Sequence, residues 1–223
     1  MDIKLFFQAI IKFIFGVVII GALLFIPANT INYWNAWLFM GLLFIPMFLA
    51  GIVMMIKSPD LLKKRLNAKE KESEQKQVIL FSGLMFLAGF IVAGLNYKYK
   101  WIEVSNSVVI ASSIIFLIAY ILYAEVLREN AYLSRTIEVQ ENQKVVDTGL
   151  YGIVRHPMYA VTVLLFLSMP LILGSVISFI IFLVYPFIIS KRIKNEEEVL
   201  EKELEGYSEY KKKVKYKMIP FIW

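Results

Sequence analysis

Residues 158–190 read "MYAVTVLLFLSMPLILGSVISFIIFLVYPFIIS" and form the last long apolar stretch of the chain. A continuous helix of this length would measure about 50 Å, too long for one membrane span and short for two full ones. Pro170 and Gly174 interrupt the stretch near its middle. The sequence therefore predicts a hairpin of two helices whose polar ends lie on the same side of the membrane.

Four apolar blocks precede this hairpin, at residues 5–26, 36–56, 78–95 and 104–127. Hydrophobic residues make up 59% of the chain, against roughly half in a soluble globular domain. Blocks of this length and composition are typical of transmembrane helices. The sequence predicts an all-α integral membrane protein, a single membrane domain with four single transmembrane helices followed by the C-terminal hairpin.

The basic residues indicate how this arrangement crosses the membrane. Lys and Arg cluster in segments 57–76, 128–157 and 191–217, whereas linkers 27–35 and 96–103 hold none and two. Four single spans and one hairpin place every basic segment on the side of the N-terminus, which predicts an N-in, C-in protein of the cell membrane with a cytoplasmic polar face. The net charge of +6 then reflects loops beside anionic lipid rather than nucleic-acid binding. Leucines and cations mixed in the 57–77 loop suit an amphipathic surface helix.

Two residue counts exclude whole classes of chemistry. The chain has no cysteine, which rules out disulfides, thiolate metal ligands and a cysteine nucleophile. It has one histidine, too few for a histidine-rich metal site. No metal is expected.

The single histidine lies in "GLYGIVRHPMY", directly before the hairpin. Pro157 limits helix at the preceding residue and suits the first turn of the next helix, so Arg155 and His156 should lie at the cytoplasmic mouth of the hairpin. At its other end, Arg192 and Glu196 are spaced i,i+4 and share a helical face. Both ends together predict a pocket of mixed charge, suited to a ligand with positive and negative parts.

Taken singly, each of these features is more typical of an interfacial anchor or a solvated helix face. Glu125 and Arg128, at the end of the fourth block, equally suit a pair at the membrane edge. The convergence of both ends of the hairpin is what favours a binding site.

From about residue 139 onward the chain resembles the isoprenylcysteine carboxyl methyltransferase family, a group that also includes membrane phospholipid methyltransferases. The resemblance rests on a glycine and a tyrosine before RHP, a tyrosine two residues after it, a hairpin, an arginine with paired glutamates in "RIKNEEEVL", and the basic aromatic tail "GYSEYKKKVKYKMIPFIW". One departure is "LEGYSEY", which is one residue shorter than the corresponding family segment.

This resemblance implies methyl transfer from S-adenosyl-L-methionine to a lipophilic acceptor, either an isoprenylcysteine-type carboxylate or a lipid head group, in contact with membrane lipid. Residues 128–223 would form the catalytic part, behind the four helices of residues 1–127. Arg192 corresponds to a substrate-side arginine, the candidate catalytic residue. The positions that correspond to cofactor contacts are Gln140, Lys144, Val145, Val146, Tyr151, Arg155, His156, Pro157, Tyr159 and Glu196.

Two other functions remain open at this point. Membrane reductases of the steroid 5-alpha-reductase type, which use NADPH, carry a similar RHP-like segment and tail, although the "EEE" run favours the methyltransferase. The third hypothesis is that the chain is a non-enzymatic membrane scaffold. The sequence leaves open the acceptor and the oligomeric state. It also does not choose among Glu125, Glu196 and Glu197 as a base, which an amine acceptor requires and a carboxylate acceptor does not.

Overall fold

The computed structural model describes residues 3–66, 73–133 and 139–223. Within these ranges the chain is helical apart from turns, loops and one isolated bridge between Glu103 and Ser175. The helices in chain order are α1 (Ile3–Ala28), α2 (Trp34–Lys57), α3 (Pro59–Leu66), α4 (Ser73–Tyr99), α5 (Asn106–Glu129), α6 (Pro157–Ile172), α7 (Val176–Phe182), α8 (Tyr185–Glu203) and α9 (Tyr207–Lys213).

Five helical segments are long and apolar enough to cross a membrane, judged by length and composition. Four of them coincide with the predicted blocks, and the fifth runs through α7 and α8 over Val176–Glu203. Large apolar side chains such as Phe15, Ile121 and Phe187 lie exposed on their outer faces, as lipid-facing residues do. The prediction of an all-helical integral membrane protein is confirmed, while its orientation across the membrane stays a prediction.

The predicted break in the last apolar stretch is present. Helix α6 ends at Ile172, Gly174 adopts a positive φ of 73°, and the Ser175 hydroxyl caps α7 by accepting a hydrogen bond from the Ser178 backbone N–H at 3.2 Å. Pro170 lies inside the last turn of α6, two residues before its end. The glycine rather than the proline therefore reverses the chain.

The returning limb differs from the single helix expected. It consists of two helices, with a short break between Phe182 and Tyr185, and α8 continues to Glu203, well past the end of the apolar stretch. The charged residues beyond position 190 are mostly lysine and glutamate, which are strong helix formers. Because these residues favour a helix, α8 continues beyond the apolar region, and its glutamates lie at the mouth of the hairpin.

Neutral side chains hold the closed end of the hairpin. They are buried and donate to backbone carbonyl oxygens of the turn and of α4, and we call them the apex cluster. Its bonds run from Tyr33 Oη to Leu173 O (2.5 Å), Asn35 Nδ2 to Ile172 O (2.9 Å), Asn96 Nδ2 to Gly174 O (3.3 Å) and Ser178 Oγ to Gly89 O (2.8 Å).

Helix α3 lies on the opposite, charged side of the molecule and confirms the predicted amphipathic helix over residues 59–66. Leu62 is buried while Lys63 is exposed. The Arg65 guanidinium lies 5.5 Å from the centre of the Tyr123 ring, and Lys64 Nζ donates to Gln140 Oε1 at 2.5 Å. The rest of the predicted 57–77 surface segment falls partly on residues 67–72, outside the described residues.

Candidate ligand site at the mouth of the hairpin

A cleft opens at the mouth of the hairpin, between the segment before α6, the end of α8, and α9. It contains about 830 Å³ of empty space, a volume that includes the solvent at its open mouth. Its lining is Asn130, Tyr132, Leu133, Gln143, Lys144, Val145, Val146, Tyr151, Arg155, His156, Met158, Tyr159, Arg192, Glu196, Leu200, Leu204, Tyr207 and Tyr210.

Most of the residues predicted from the sequence share this lining. Lys144, Val145 and Val146 form one wall, and the remaining predicted members are Tyr151, Arg155, His156, Tyr159, Arg192 and Glu196. The structure therefore brings together side chains that are far apart in sequence. Whether they bind a ligand stays a prediction.

Two predicted residues do not line the cleft. Pro157 is buried at the first position of α6, where its fixed φ starts the helix. Gln140 holds the turn that leads to the cleft, because its Nε2 donates to Tyr132 O at 2.6 Å and its backbone N–H donates to Gln143 Oε1 at 2.9 Å. Pro157 and Gln140 therefore stabilise backbone segments that carry other lining residues.

The approach to the RHP sequence depends on a glycine. Gly149 begins a 3₁₀ turn over Gly149–Gly152 with φ of 51°, and a Cβ at this position would lie 1.3 Å from Glu129 Oε1. The same glutamate accepts a hydrogen bond from the Leu150 backbone N–H at 3.0 Å through its Oε2. A side chain at position 149 would break this cap and strain the backbone.

Glu197 is the centre of the charged cluster, a role that the sequence analysis missed. Its Oε1 lies 2.8 Å from Arg155 Nε and 3.2 Å from His156 Nε2. Its Oε2 lies 3.3 Å from Lys217 Nζ and 3.7 Å from Lys211 Nζ. With the Glu197 carboxylate 5% exposed, one buried negative charge faces several cationic groups, which leaves a positive potential favourable to an anionic ligand group.

Arg155 also fastens the C-terminal tail. Its Nη1 donates to the carbonyls of Val214 (2.7 Å) and Lys215 (2.8 Å), and its backbone N–H donates to Tyr216 O at 2.9 Å. The next N–H, that of His156, donates to Lys217 O at 2.8 Å. Arg155 was predicted as a cofactor contact; it lines the cleft, but these bonds make it a clamp on the tail.

A second polar chain runs along the inner face of α8. Arg192 Nε donates to the Tyr159 hydroxyl at 2.8 Å, and that hydroxyl in turn donates to Glu196 Oε2. The predicted face shared by Arg192 and Glu196 is present, with Tyr159 as the link between them. Four residues of helix separate the two by about 6 Å, with Arg192 nearer the apolar hairpin and Glu196 nearer the charged end.

Helix α9 adds two tyrosines that the sequence analysis did not single out. Tyr210 donates from its hydroxyl to Tyr151 O at 2.7 Å. The Tyr207 hydroxyl is buried and has no hydrogen-bond partner in the described part of the chain. Burial, followed by the nearby charges of Glu197 and Glu196, raises the pKa of Tyr207 well above its usual value, so the hydroxyl stays a donor. The i,i+3 spacing of the tyrosines in "GYSEY" was the available signal for a shared face.

The pair at the end of α5 lies apart from this cleft. Arg128 Nε donates to Glu125 Oε2 at 2.9 Å, and both side chains are exposed. Neither residue lines the cleft. This geometry agrees with the interpretation of Glu125 and Arg128 as an ion pair at the membrane edge.

The apolar helical frame with a polar cleft at one end defines an integral membrane protein with a candidate ligand site. Residues 108–202 match the model of the isoprenylcysteine carboxyl methyltransferase (ICMT) family. This segment, from α5 to the end of α8, contains every predicted site residue, and it confirms the resemblance seen in the sequence. A family of this kind indicates a membrane methyltransferase. A search of curated proteins gave no match.

Proposed function

We propose that the chain is an S-adenosyl-L-methionine-dependent methyltransferase acting on a lipophilic acceptor at the cytoplasmic surface of the cell membrane. The observation that carries the proposal is the position of the cleft, where the apolar hairpin meets the charged segments. A water-soluble methyl donor and a lipid-soluble acceptor can meet only at such a boundary. The family match over residues 108–202 supports the reaction class.

The residues of the cleft fit the donor chemically. S-adenosyl-L-methionine carries a carboxylate, an ammonium group, a sulfonium, a ribose and an adenine. Glu196 offers a carboxylate, Tyr151 offers an aromatic ring that attracts a cation, and the positive cluster around Glu197 suits a carboxylate. The hydroxyl of Tyr207 is a buried donor without an acceptor among the described residues, and such groups call for a partner.

When bound, S-adenosyl-L-methionine supplies a methyl group on a sulfonium. It would be held by those predicted cofactor-binding residues that line the cleft, with Tyr207 as an added member of that set. The walls formed by Val145, Val146 and Leu200 would exclude water from it. The Arg155–Glu197 pair fixes the C-terminal tail, because Arg155 also donates to Val214 O.

We assign acceptor binding to Arg192. It lines the cleft on α8, and its hydrogen bond to the Tyr159 hydroxyl fixes the direction of its guanidinium. A guanidinium so oriented binds a carboxylate or a phosphate through paired hydrogen bonds. Holding the acceptor in line with the methyl group at short distance is the main requirement of the reaction.

Position relative to the cleft favours one of the three candidate bases. Of the three carboxylates considered, Glu196 lines the cleft, whereas Glu125 and Glu197 do not. A carboxylate acceptor needs no base at neutral pH, whereas an amine must lose a proton. We assign this task to Glu196 if the acceptor is an amine.

The test is calorimetric titration of the detergent-purified protein with S-adenosylhomocysteine and, in parallel, with NADPH. We expect saturable binding of S-adenosylhomocysteine alone. Binding of NADPH alone would favour the reductase, and binding of neither by a folded protein would favour the scaffold.

Matched variants locate the site in the same titration. Glu196→Gln should weaken S-adenosylhomocysteine binding about 10- to 100-fold, because a charge-assisted hydrogen bond is lost. Glu198→Gln, an exposed neighbour on α8, should leave the affinity unchanged. Equal behaviour of the two variants would remove Glu196 from the site. Arg192→Lys should lower turnover or acceptor affinity more than cofactor affinity, because lysine lacks the planar fork.

A further inference from the structure

The end of the tail carries an unusual set of exposed apolar side chains. Phe221 is 86% and Ile222 77% exposed, and Ile219 and Trp223 are also open to the surroundings. We call these four side chains the apolar tip. Met218, directly before them, is buried and packs in the main core. The tip is therefore a protrusion anchored by its base.

Hydrogen bonds give the tip a defined shape. The Trp223 N–H donates to Ile219 O at 3.0 Å, and the Met218 N–H donates to Trp223 O at 3.0 Å. The Tyr216 and Phe221 rings pack with their centres 5.4 Å apart, and Lys217 Nζ lies 5.4 Å from the centre of the Trp223 ring. A closed turn of this kind holds its apolar side chains outward instead of letting them collapse together.

The position of the tip coincides with the start of the apolar hairpin. The backbone N–H groups of Arg155 and His156 donate to the carbonyls of Tyr216 and Lys217. Helix α6 begins at the next residue, Pro157. The tip therefore lies level with the first turn of a helix whose body is apolar, which is the depth of a membrane–water interface.

Lysines precede the tip in the sequence. Lys212, Lys213 and Lys215 are exposed just before it. Basic residues beside aromatic and aliphatic ones are the combination that binds an anionic lipid surface, since cations contact the head groups and apolar side chains reach the acyl boundary.

We propose that the apolar tip inserts into the head-group region of an anionic membrane leaflet and that the neighbouring lysines contact its anionic lipids. The inference does not rest on the proposed methyl transfer. It has a structural consequence for the cleft, because Lys217 at the base of the tip lies 3.3 Å from Glu197. Membrane contact would hold the tail in the position in which Arg155 clamps it.

The absence of cysteine from the chain makes a direct test available. Ile222→Cys, labelled with an environment-sensitive fluorophore, reports on the tip in full-length protein reconstituted into nanodiscs. Lys202→Cys, an exposed position near the end of α8, is the matched control on the same side. Quenching is measured with iodide in water and with lipids carrying a nitroxide near the head group, in phosphatidylcholine discs with and without phosphatidylglycerol.

We expect the label at position 222 to be quenched by the lipid nitroxide and shielded from iodide, and the label at 202 to behave in the opposite way. Iodide quenching that is equal at both positions would overturn the proposal. Shielding from both quenchers would also overturn it, because a protein surface rather than lipid would then cover the tip. Phe221→Cys repeats the measurement should the first variant melt below the parent.

A second experiment tests whether insertion of the tip depends on anionic lipid. Phosphatidylglycerol should increase nitroxide quenching severalfold, and Lys212→Gln with Lys215→Gln should abolish that increase. Lys98→Gln with Lys100→Gln, two exposed lysines at the other end of α4, should leave it intact. Equal quenching in both lipid compositions would show that insertion does not depend on lipid charge.

Discussion

The two ends of the hairpin use polar side chains in opposite ways. At the closed end, the apex cluster consists of neutral donors that reach backbone carbonyls of the turn and of α4. At the open end, the mouth is built from charged side chains that bond one another, with Glu197 between Arg155 and His156. The closed end is therefore a buried set of hydrogen-bonded neutral side chains, and the open end is a charged, accessible cleft.

The difference lies in what each end leaves unpaired. The apex donors each reach a carbonyl, and a buried donor that has its acceptor contributes only to stability. The mouth keeps one buried hydroxyl, that of Tyr207, without an acceptor in the described residues. Around Glu197, the three cations Arg155, Lys211 and Lys217 face two carboxylates, because Lys211 also pairs with Glu201 at 2.9 Å. An unpaired donor and an excess of positive charge suit a ligand, which is why we assign binding to the mouth and rigidity to the apex.

Replacing Glu197, the centre of the charged cluster at the mouth, should have the largest effect on folding stability. Glu197→Gln leaves the buried Arg155 guanidinium facing a neutral amide, and breaking a buried ion pair in this way costs about 3–5 kcal/mol of folding stability. Thermal unfolding in detergent, followed by circular dichroism, measures the loss. Glu198→Gln, which is exposed, is the control. An unchanged melting temperature with lost ligand binding would make Glu197 a ligand-binding residue instead.

At the apex, Tyr33→Phe should lower stability without touching binding. The substitution leaves Leu173 O without its 2.5 Å donor in a buried turn, at a cost of about 1–3 kcal/mol. The affinity for S-adenosylhomocysteine should match that of the parent protein. Tyr97→Phe loses a bond to Asn32 O in an exposed setting and should cost less. A change in ligand affinity for Tyr33→Phe would mean that the two ends are coupled.

The helical frame and the reversal of the hairpin could be predicted, because apolar blocks, Gly174 and basic loops are local signals, whereas the hydrogen bonds of the apex cluster could not. Segment 158–190 was correctly predicted to reverse in its middle. Hydropathy alone does not predict the continuation of α8 to Glu203, because the helix there rests on the propensity of charged residues.

The mouth was predictable only in part. Residues on one motif or one helical face, such as Arg192 and Glu196, could be placed together from their spacing. The partners of Glu197 come from residues 155, 156, 211 and 217, and no periodicity links such distant segments. The unpaired hydroxyl of Tyr207 depends on the packing of α9, which a one-dimensional pattern does not contain.

Tyr207→Phe and Tyr210→Phe form the sharpest comparison within the mouth, because both remove one hydroxyl from the same helix. Tyr207→Phe should leave the free protein as stable as the parent or more stable, since its hydroxyl makes no hydrogen bond to the residues that the structure describes. It should weaken S-adenosylhomocysteine binding roughly 2- to 12-fold. Tyr210→Phe should lower stability instead, because its hydroxyl donates to Tyr151 O. Calorimetric titration and thermal unfolding of both variants separate the two effects. If Tyr207→Phe binds as the parent does, its hydroxyl has no ligand partner.

The smallest expected effect tests whether the mouth extends to α3. Lys64 donates to Gln140 Oε1, and Gln140 holds the turn that carries Gln143 into the cleft. Lys64→Ala should therefore weaken S-adenosylhomocysteine binding by a factor of about two to five, the value of one ordinary hydrogen bond acting through the turn. Lys63→Ala, the exposed neighbour on α3, changes the charge of the surface equally and should leave affinity unchanged. Equal losses for both variants would indicate a general charge effect. A loss confined to Lys64→Ala would show that α3 positions the turn, and the mouth would then depend on both halves of the chain, as the apex does through Tyr33.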